Sequence, residues 1–407
     1  MQHHSHELQR HYLLYADAGK RKNFYAHAAL KGLGISMVVI FIPALLLSTH
    51  QISLAGIMLF YAVLSVFTIL WNPLALIMVD KFGSKIGLIM GVVVMLGYLY
   101  GLTHFTQTYL LLGVLPAIGG LFNSLYWGGY HSELMRIAMD KKSGSSVALV
   151  NIVNILAISA APLLGGILTD YASSDFMVFV AMMILVASIV PLLFSSAEHT
   201  PHRFSLREMR GINWHFFIAA YKSFAAFSVG QIIVQVLWPL LIFITLQSYT
   251  SLGMISAITA VLVVIISHYM GKLIDENRKG ATFRRAVKFQ GSVWGLKVLT
   301  YLLLFNPVTI TIVSVFRQLA SSITELTLNH SLYSQADAKE IDRGQAVFVH
   351  EFAVHSIKAL VFGLSALALY LMPNAETNYY FVFVAVMILG VVTTPALASI
   401  VTHEKSS

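Results

Sequence analysis

The chain has 407 residues, 57% of them hydrophobic and only 11% charged, with a mean hydropathy of +0.76. A soluble domain carries about 25% charged residues, so a set of two or three soluble domains is excluded and a polytopic membrane protein is expected. The absence of cysteine rules out disulfides, thiolate metal sites and a cysteine nucleophile, and the net charge of +8 is accounted for below by membrane topology.

Residues 1–23 are polar and begin without the apolar core of a cleavable signal, so they are read as a cytoplasmic segment. The broken histidine run His3-His4-Ser5-His6 is read as native. Twelve apolar runs follow, near 24–48, 52–79, 86–104, 107–137, 146–169, 174–195, 212–246, 249–275, 284–304, 307–336, 345–372 and 376–402. A helix needs ~20 such residues to cross a bilayer, and the longer runs must tilt or project. The expected fold is all-α, a polytopic membrane protein of twelve transmembrane helices arranged as two six-helix pseudo-repeats. The first bundle covers 24–195 and the second 212–402. Between them lies a cytoplasmic loop, 196–211, with Arg203, Arg207 and Arg210, and a short tail, 403–407, follows.

Orientation comes from lysine and arginine. The links at 49–51, 105–106, 170–173, 247–248, 305–306 and 373–375 contain neither. The alternate face carries Lys20, Arg21, Lys22, Lys81, Lys85, Arg136, Lys141, Lys142, the three central arginines, the 278–288 cluster, Lys339, Arg343 and Lys405. The positive-inside rule then places both termini in the cytoplasm, with the chain in the cell membrane. Basic residues spread in this way meet anionic headgroups, so no nucleic-acid partner is expected.

The two halves repeat. Asn23 and Asn213 precede spans 1 and 7, Asp80 and Asp275 end spans 2 and 8, and Gly144 and Gly344 occupy matching places before spans 5 and 11. The loop Asp80-Lys81-Phe82-Gly83-Ser84-Lys85 is the sharper copy, with Gly271 to Asp275 as the degenerate one. On these residues the chain resembles the major facilitator superfamily over essentially its whole length. Ser84 replaces one basic residue of the family's loop, and Leu76 stands where a glycine is usual. The resemblance implies a gate of Asp80, Gly83 and Lys85 with Arg136 as partner of Asp80, and Asp275 in the second half. The alternative is that Asp80 and Lys85 only cap and anchor a hairpin. Ala161-Pro162-Leu163-Leu164-Gly165-Gly166 is similar to the spaced-glycine motif of proton-exchanging members. It reads equally as a small-residue packing face with a proline kink.

Ionisable residues at membrane depth cost about 2.5–3.5 kcal/mol on insertion scales and should face a cavity. Glu351, His355 and Lys358 share one face of span 11, and imidazole titrates near pH ~6.5. They form either a proton-responsive network or a polar seam to a neighbouring helix. Gln318, Ser322, Glu325 and Asn329 make a polar stripe on span 10 beside Arg317. Tyr126, Tyr130 and Glu133 share a face of span 4, flanked by Trp127 and His131. Lys222 and Lys31 lie in spans 7 and 1, Lys31 close enough to the cytoplasm to snorkel. Lys297 of span 9 has no functional account.

Bases at depth outnumber acids, which favours an anionic or amphipathic organic solute. Candidate substrate contacts are Lys222, Arg317, Tyr126, Tyr130, Gln318 and Lys31. Candidate proton carriers are Glu325, Glu351, His355, Lys358 and Glu133. The expected protein is a monomeric, proton-coupled secondary transporter, with efflux by antiport preferred to import, and with no cofactor, no metal and no enzymatic step. Its partners are a small-molecule substrate, protons and the lipid bilayer. A non-transporting membrane sensor or scaffold is the rival from another class.

Overall fold

The computed structural model describes residues 23–138, 159–194, 214–271, 287–297, 306–337, 343–372 and 375–400. Asp275, the 196–211 loop and both termini lie outside these residues, as do the side chains of Arg136 and Glu325. The helices are α1 (23–36), α2 (Ile42–Ser48), α3 (Leu54–Phe82), α4 (Ser84–His104), α5 (Leu115–Ala138), α6 (159–171) and α7 (Ser174–Leu193) in the first half of the chain. Then come α8 (Trp214–Ile232), α9 (Trp238–Leu246), α10 (Tyr249–Gly271), α11 (287–297), α12 (Pro307–Asp337), α13 (Arg343–Leu371) and α14 (Ala375–Thr393). Every expected span contains a helix, and no strand occurs among the described residues. Among the described residues, seven helical stretches are long and apolar enough by themselves to cross a membrane. In hydrocarbon a helix satisfies each backbone group within its own segment.

Spans 1, 4 and 7 are interrupted, and each break falls one turn before a proline. Proline has no N–H, and its ring collides with the carbonyl four residues earlier. Pro43 follows a turn at 37–41 between α1 and α2. Pro116 follows the π-turn Leu110–Val114, and Pro239 follows the π-turn Ile233–Leu237 between α8 and α9. The first and last of these breaks border the central cavity described below.

α3 packs along α5 on one side and along α13 on the other, joining the first six spans to the last six. A second junction lies at the lysine-free face. A side chain at Gly166 would overlap the Tyr249 carbonyl, and one at Gly253 would overlap that of Pro162, so only glycine fits between α6 and α10. This is a small-residue packing face, one of the two readings open for the span 5 motif. Asp170, at the end of α6, accepts hydrogen bonds from the Thr250 N–H at 2.7 Å, the Tyr249 N–H at 3.3 Å and the Ser248 hydroxyl at 3.1 Å. It thereby satisfies free N–H groups in the first turn of α10. The Tyr249 and Ser48 hydroxyls meet at 2.5 Å.

At the basic face, Gly83 alone separates α3 from α4. Its φ of 91° is a conformation that disfavours any side chain, and its N–H closes α3 on the Val79 carbonyl at 2.8 Å. The Lys85 ammonium donates to the Leu193 carbonyl at 3.3 Å, in the last turn of α7, where a cation suits the free carbonyls. The Ser84 hydroxyl donates to Glu133 Oε2 at 2.7 Å, tying α4 to α5.

Candidate functional site: the central cavity

A cavity of about 500 Å³ opens between α1, α2, α3 and α5 on one wall and α8, the 233–237 turn and α13 on the other. Both walls carry charge. On the first, Lys31 is 6% exposed, and its ammonium lies 3.8 Å from the ring centre of Tyr126, 5.0 Å from Trp127 and 5.9 Å from Phe122. Three ring faces hold one cation, an attraction that strengthens as water is removed. The expected snorkel toward the cytoplasm is not what the structure shows. α5 supplies all three rings, with Phe122 and Tyr126 one turn apart on one face and Trp127 next to Tyr126.

On the opposite wall the Lys358 ammonium donates to Gln235 Oε1 at 3.1 Å. Gln235 sits in the π-turn forced by Pro239, and such turns re-aim side chains at functional sites. Glu351, 4% exposed, is surrounded by imidazoles. His350 Nδ1 is 2.9 Å from its Oε1, His131 Nε2 is 3.8 Å from the same oxygen, and His355 Nε2 is 3.5 Å from Oε2. The pairing of Glu351 with His355 follows from their spacing. His131 arrives from α5, across the cavity, which no spacing within α13 reveals. His350 was not among the expected residues, although the run His350-Glu351-x-x-x-His355 is visible in the sequence. His131, His350 and Glu351 offer ligand atoms within 4.8 Å of one another, a donor set compact enough for a cation.

Several expected contacts lie elsewhere. Lys222 is exposed and does not line the cavity. The inward stripe of α8 is Phe216, Ala220, Ser223, Phe224 and Phe227, and residue 222 falls off it. Arg317 is buried, but its face of α12 turns toward α8 and α11. It donates to the Gly230 carbonyl at 3.4 Å, Ser321 at 3.5 Å and Gln318 at 3.3 Å, and lies 5.5 Å from the Trp294 ring. Lys222 and Arg317 therefore do not converge, and Gln318 goes with Arg317. Tyr126 is buried beneath Lys31 rather than lining the cavity. Tyr130 packs on Phe24 at 5.6 Å. Glu133 is engaged with Ser84. Asp80 is half-buried at the end of α3.

Two groups of helices thus enclose a charged cavity. The chain belongs to the Major Facilitator Superfamily, whose family model matches residues 26–350, and is thus a multi-pass transporter rather than an enzyme. No curated protein sequence matches it. Among solved structures, a proton-dependent oligopeptide transporter superposes with a TM-score of 0.67 at 10% identity, covering 95% of this chain and 99% of that one. A variant of the nucleoside transporter NupG gives 0.69 at 12% identity, covering 94% and 99%. A bacterial homologue of the iron transporter ferroportin, in its inward-facing state, gives 0.65 at 15% identity, covering 93% and 98%. At such identities the likeness is one of fold.

Proposed function

We propose that the protein is a proton-coupled secondary transporter that moves a small organic anion or amphipathic solute by alternating access, as an exporter working by antiport. The observation that carries this reading is the cavity with Lys31 on one wall and Lys358 on the other. Its volume of about 500 Å³ lies within the ~300–1,000 Å³ usual for small-molecule sites. Trp127, Phe122, Tyr61 and Phe362 add aromatic surface, the last two stacked at 5.3 Å across the junction of α3 and α13. A solute with one anionic group and an apolar body meets both features.

In this reading Asp80, Gly83 and Lys85, with Arg136 and Asp275, gate the basic face, and that face is cytoplasmic. The proton is assigned to Glu325, on the same helix as Arg317 and two turns beyond it. The proton dependence named for the oligopeptide transporter agrees with this reading, and the monomer is the working unit.

The experiment is reconstitution of the whole chain in proteoliposomes, with labelled organic anions offered under counterflow and under an imposed pH gradient. The wild type should show saturable exchange and gradient-driven movement. Glu325→Gln should exchange normally and fail to concentrate solute. Concentration by this variant would remove Glu325 as the carrier, and absence of counterflow for every solute would favour a sensor.

A further inference from the structure

We infer that His131, His350 and Glu351 form a binding site for a first-row divalent transition-metal cation of the zinc class, with ligands drawn from both walls of the central cavity. Two imidazole nitrogens and a carboxylate oxygen are a donor set for Zn²⁺ and its neighbours. Ca²⁺ and Mg²⁺ prefer oxygen alone. Donors bonded to one such ion at about 2.0–2.2 Å stand about 3.3–3.6 Å apart when tetrahedral. Glu351 Oε1 is already 2.9 Å from His350 Nδ1 and 3.8 Å from His131 Nε2. All three ligand atoms lie within 4.8 Å of one another.

The surroundings support the assignment. Glu351 faces three imidazoles, those of His350, His131 and His355, at 2.9, 3.8 and 3.5 Å. His355 takes no place in the set itself. Its Nε2 faces the other oxygen, Oε2, at 3.5 Å, as an outer group that orients a ligating carboxylate does. Its Nδ1 is buried and has no hydrogen-bond partner among the described residues. The ligand rings are held by packing. Phe224 meets His350 edge to face at 4.6 Å, and Trp127 stacks on His131 at 5.6 Å. Three protein ligands leave a coordination position open to the cavity, the mark of an exchangeable ion rather than a closed structural one. Because α5 and α13 belong to opposite halves of the chain, an ion held here bridges them. The site does not depend on the organic-solute reading, since an ion can bind whatever else the cavity carries.

The test uses the full-length protein with His3, His4 and His6 each replaced by alanine, which removes an N-terminal chelator. Co²⁺ is titrated by visible absorption and Zn²⁺ by equilibrium dialysis. One ion per chain is expected, with a tetrahedral Co²⁺ spectrum and a zinc-dependent rise in Tm. His350→Ala, His131→Ala and Glu351→Gln should each weaken binding more than tenfold and abolish the spectrum. His355→Ala should weaken it about tenfold, as outer-shell changes do. Glu351→Gln keeps the volume of the side chain, so it carries the test should a histidine variant fail to fold. Sub-stoichiometric binding by the parent, or unchanged binding by Glu351→Gln and His131→Ala together, would overturn the site and leave only a hydrogen-bonded polar seam.

Discussion

Among the described residues, two buried lysines rest on aromatic rings, Lys31 and Lys297, and they differ in what else they can reach. Lys31 lies 3.8 Å from the Tyr126 ring centre and borders the cavity. Lys297 lies at the same 3.8 Å from Trp238, with Trp294 at 5.7 Å, is 1% exposed and borders no part of that cavity. Around Lys297 the groups are already engaged: Trp238 donates to Ser314 at 2.9 Å, and Trp294 also lies 5.5 Å from the Arg317 guanidinium. Burial and a cation–π contact therefore do not by themselves mark a functional cation. Access to open space does, and on that criterion Lys297 reads as a stitch between α9, α11 and α12.

Substitution separates the two. Lys31→Met should weaken solute binding at least tenfold, because a charge-assisted hydrogen bond is worth about 1.5–3 kcal/mol and about 1.4 kcal/mol is a factor of ten. Counterflow kinetics measure it. Lys297→Met should leave solute affinity within about twofold while lowering thermal stability by up to about 2 kcal/mol. Equal loss of affinity in the two variants would dissolve the contrast.

The contrast extends to the walls of the molecule, where the junction of α6 with α10 has no free space at all. Gly253→Val should cost about 1–3 kcal/mol through overpacking and should favour states in which the lysine-free face is open. Labelling of cysteines introduced at the cavity, in a chain that has none of its own, reads the shift directly. Unchanged labelling from that face would mean that this contact is not a gate. The smallest effect is expected at Ser84. Ser84→Ala removes its hydrogen bond to Glu133 and should reduce stability by about 0.5–1.5 kcal/mol, with solute affinity unchanged. A transport defect larger than the loss of folded protein would make Glu133 part of the gating machinery.

The sequence by itself determined the class of the protein. Span length, the one-sided basic residues and the Asp80 loop are local properties, since each residue's transfer into hydrocarbon depends mainly on its own side chain. Helical spacing likewise put Glu351 and His355 together. The helix breaks before Pro43, Pro116 and Pro239 were not expected from the sequence, and proline alone does not fix them, because Pro73 and Pro191 lie within continuous helices. Only the tertiary structure decided which charges share a cavity. Lys222 and Arg317 looked deeper than Lys31 in the sequence, yet the phase of α8 turns Lys222 outward and α12 presents Arg317 to α11. The meeting of His131 with His350 and Glu351, and that of Asp170 with Tyr249 and Thr250, depend on how the first six spans are set against the last six. That register comes from close backbone approach at Gly166 and Gly253 and from the long seam of α3 on α13. It is a sum of many packing contacts, each too small and too distant in the chain to be read from any single motif.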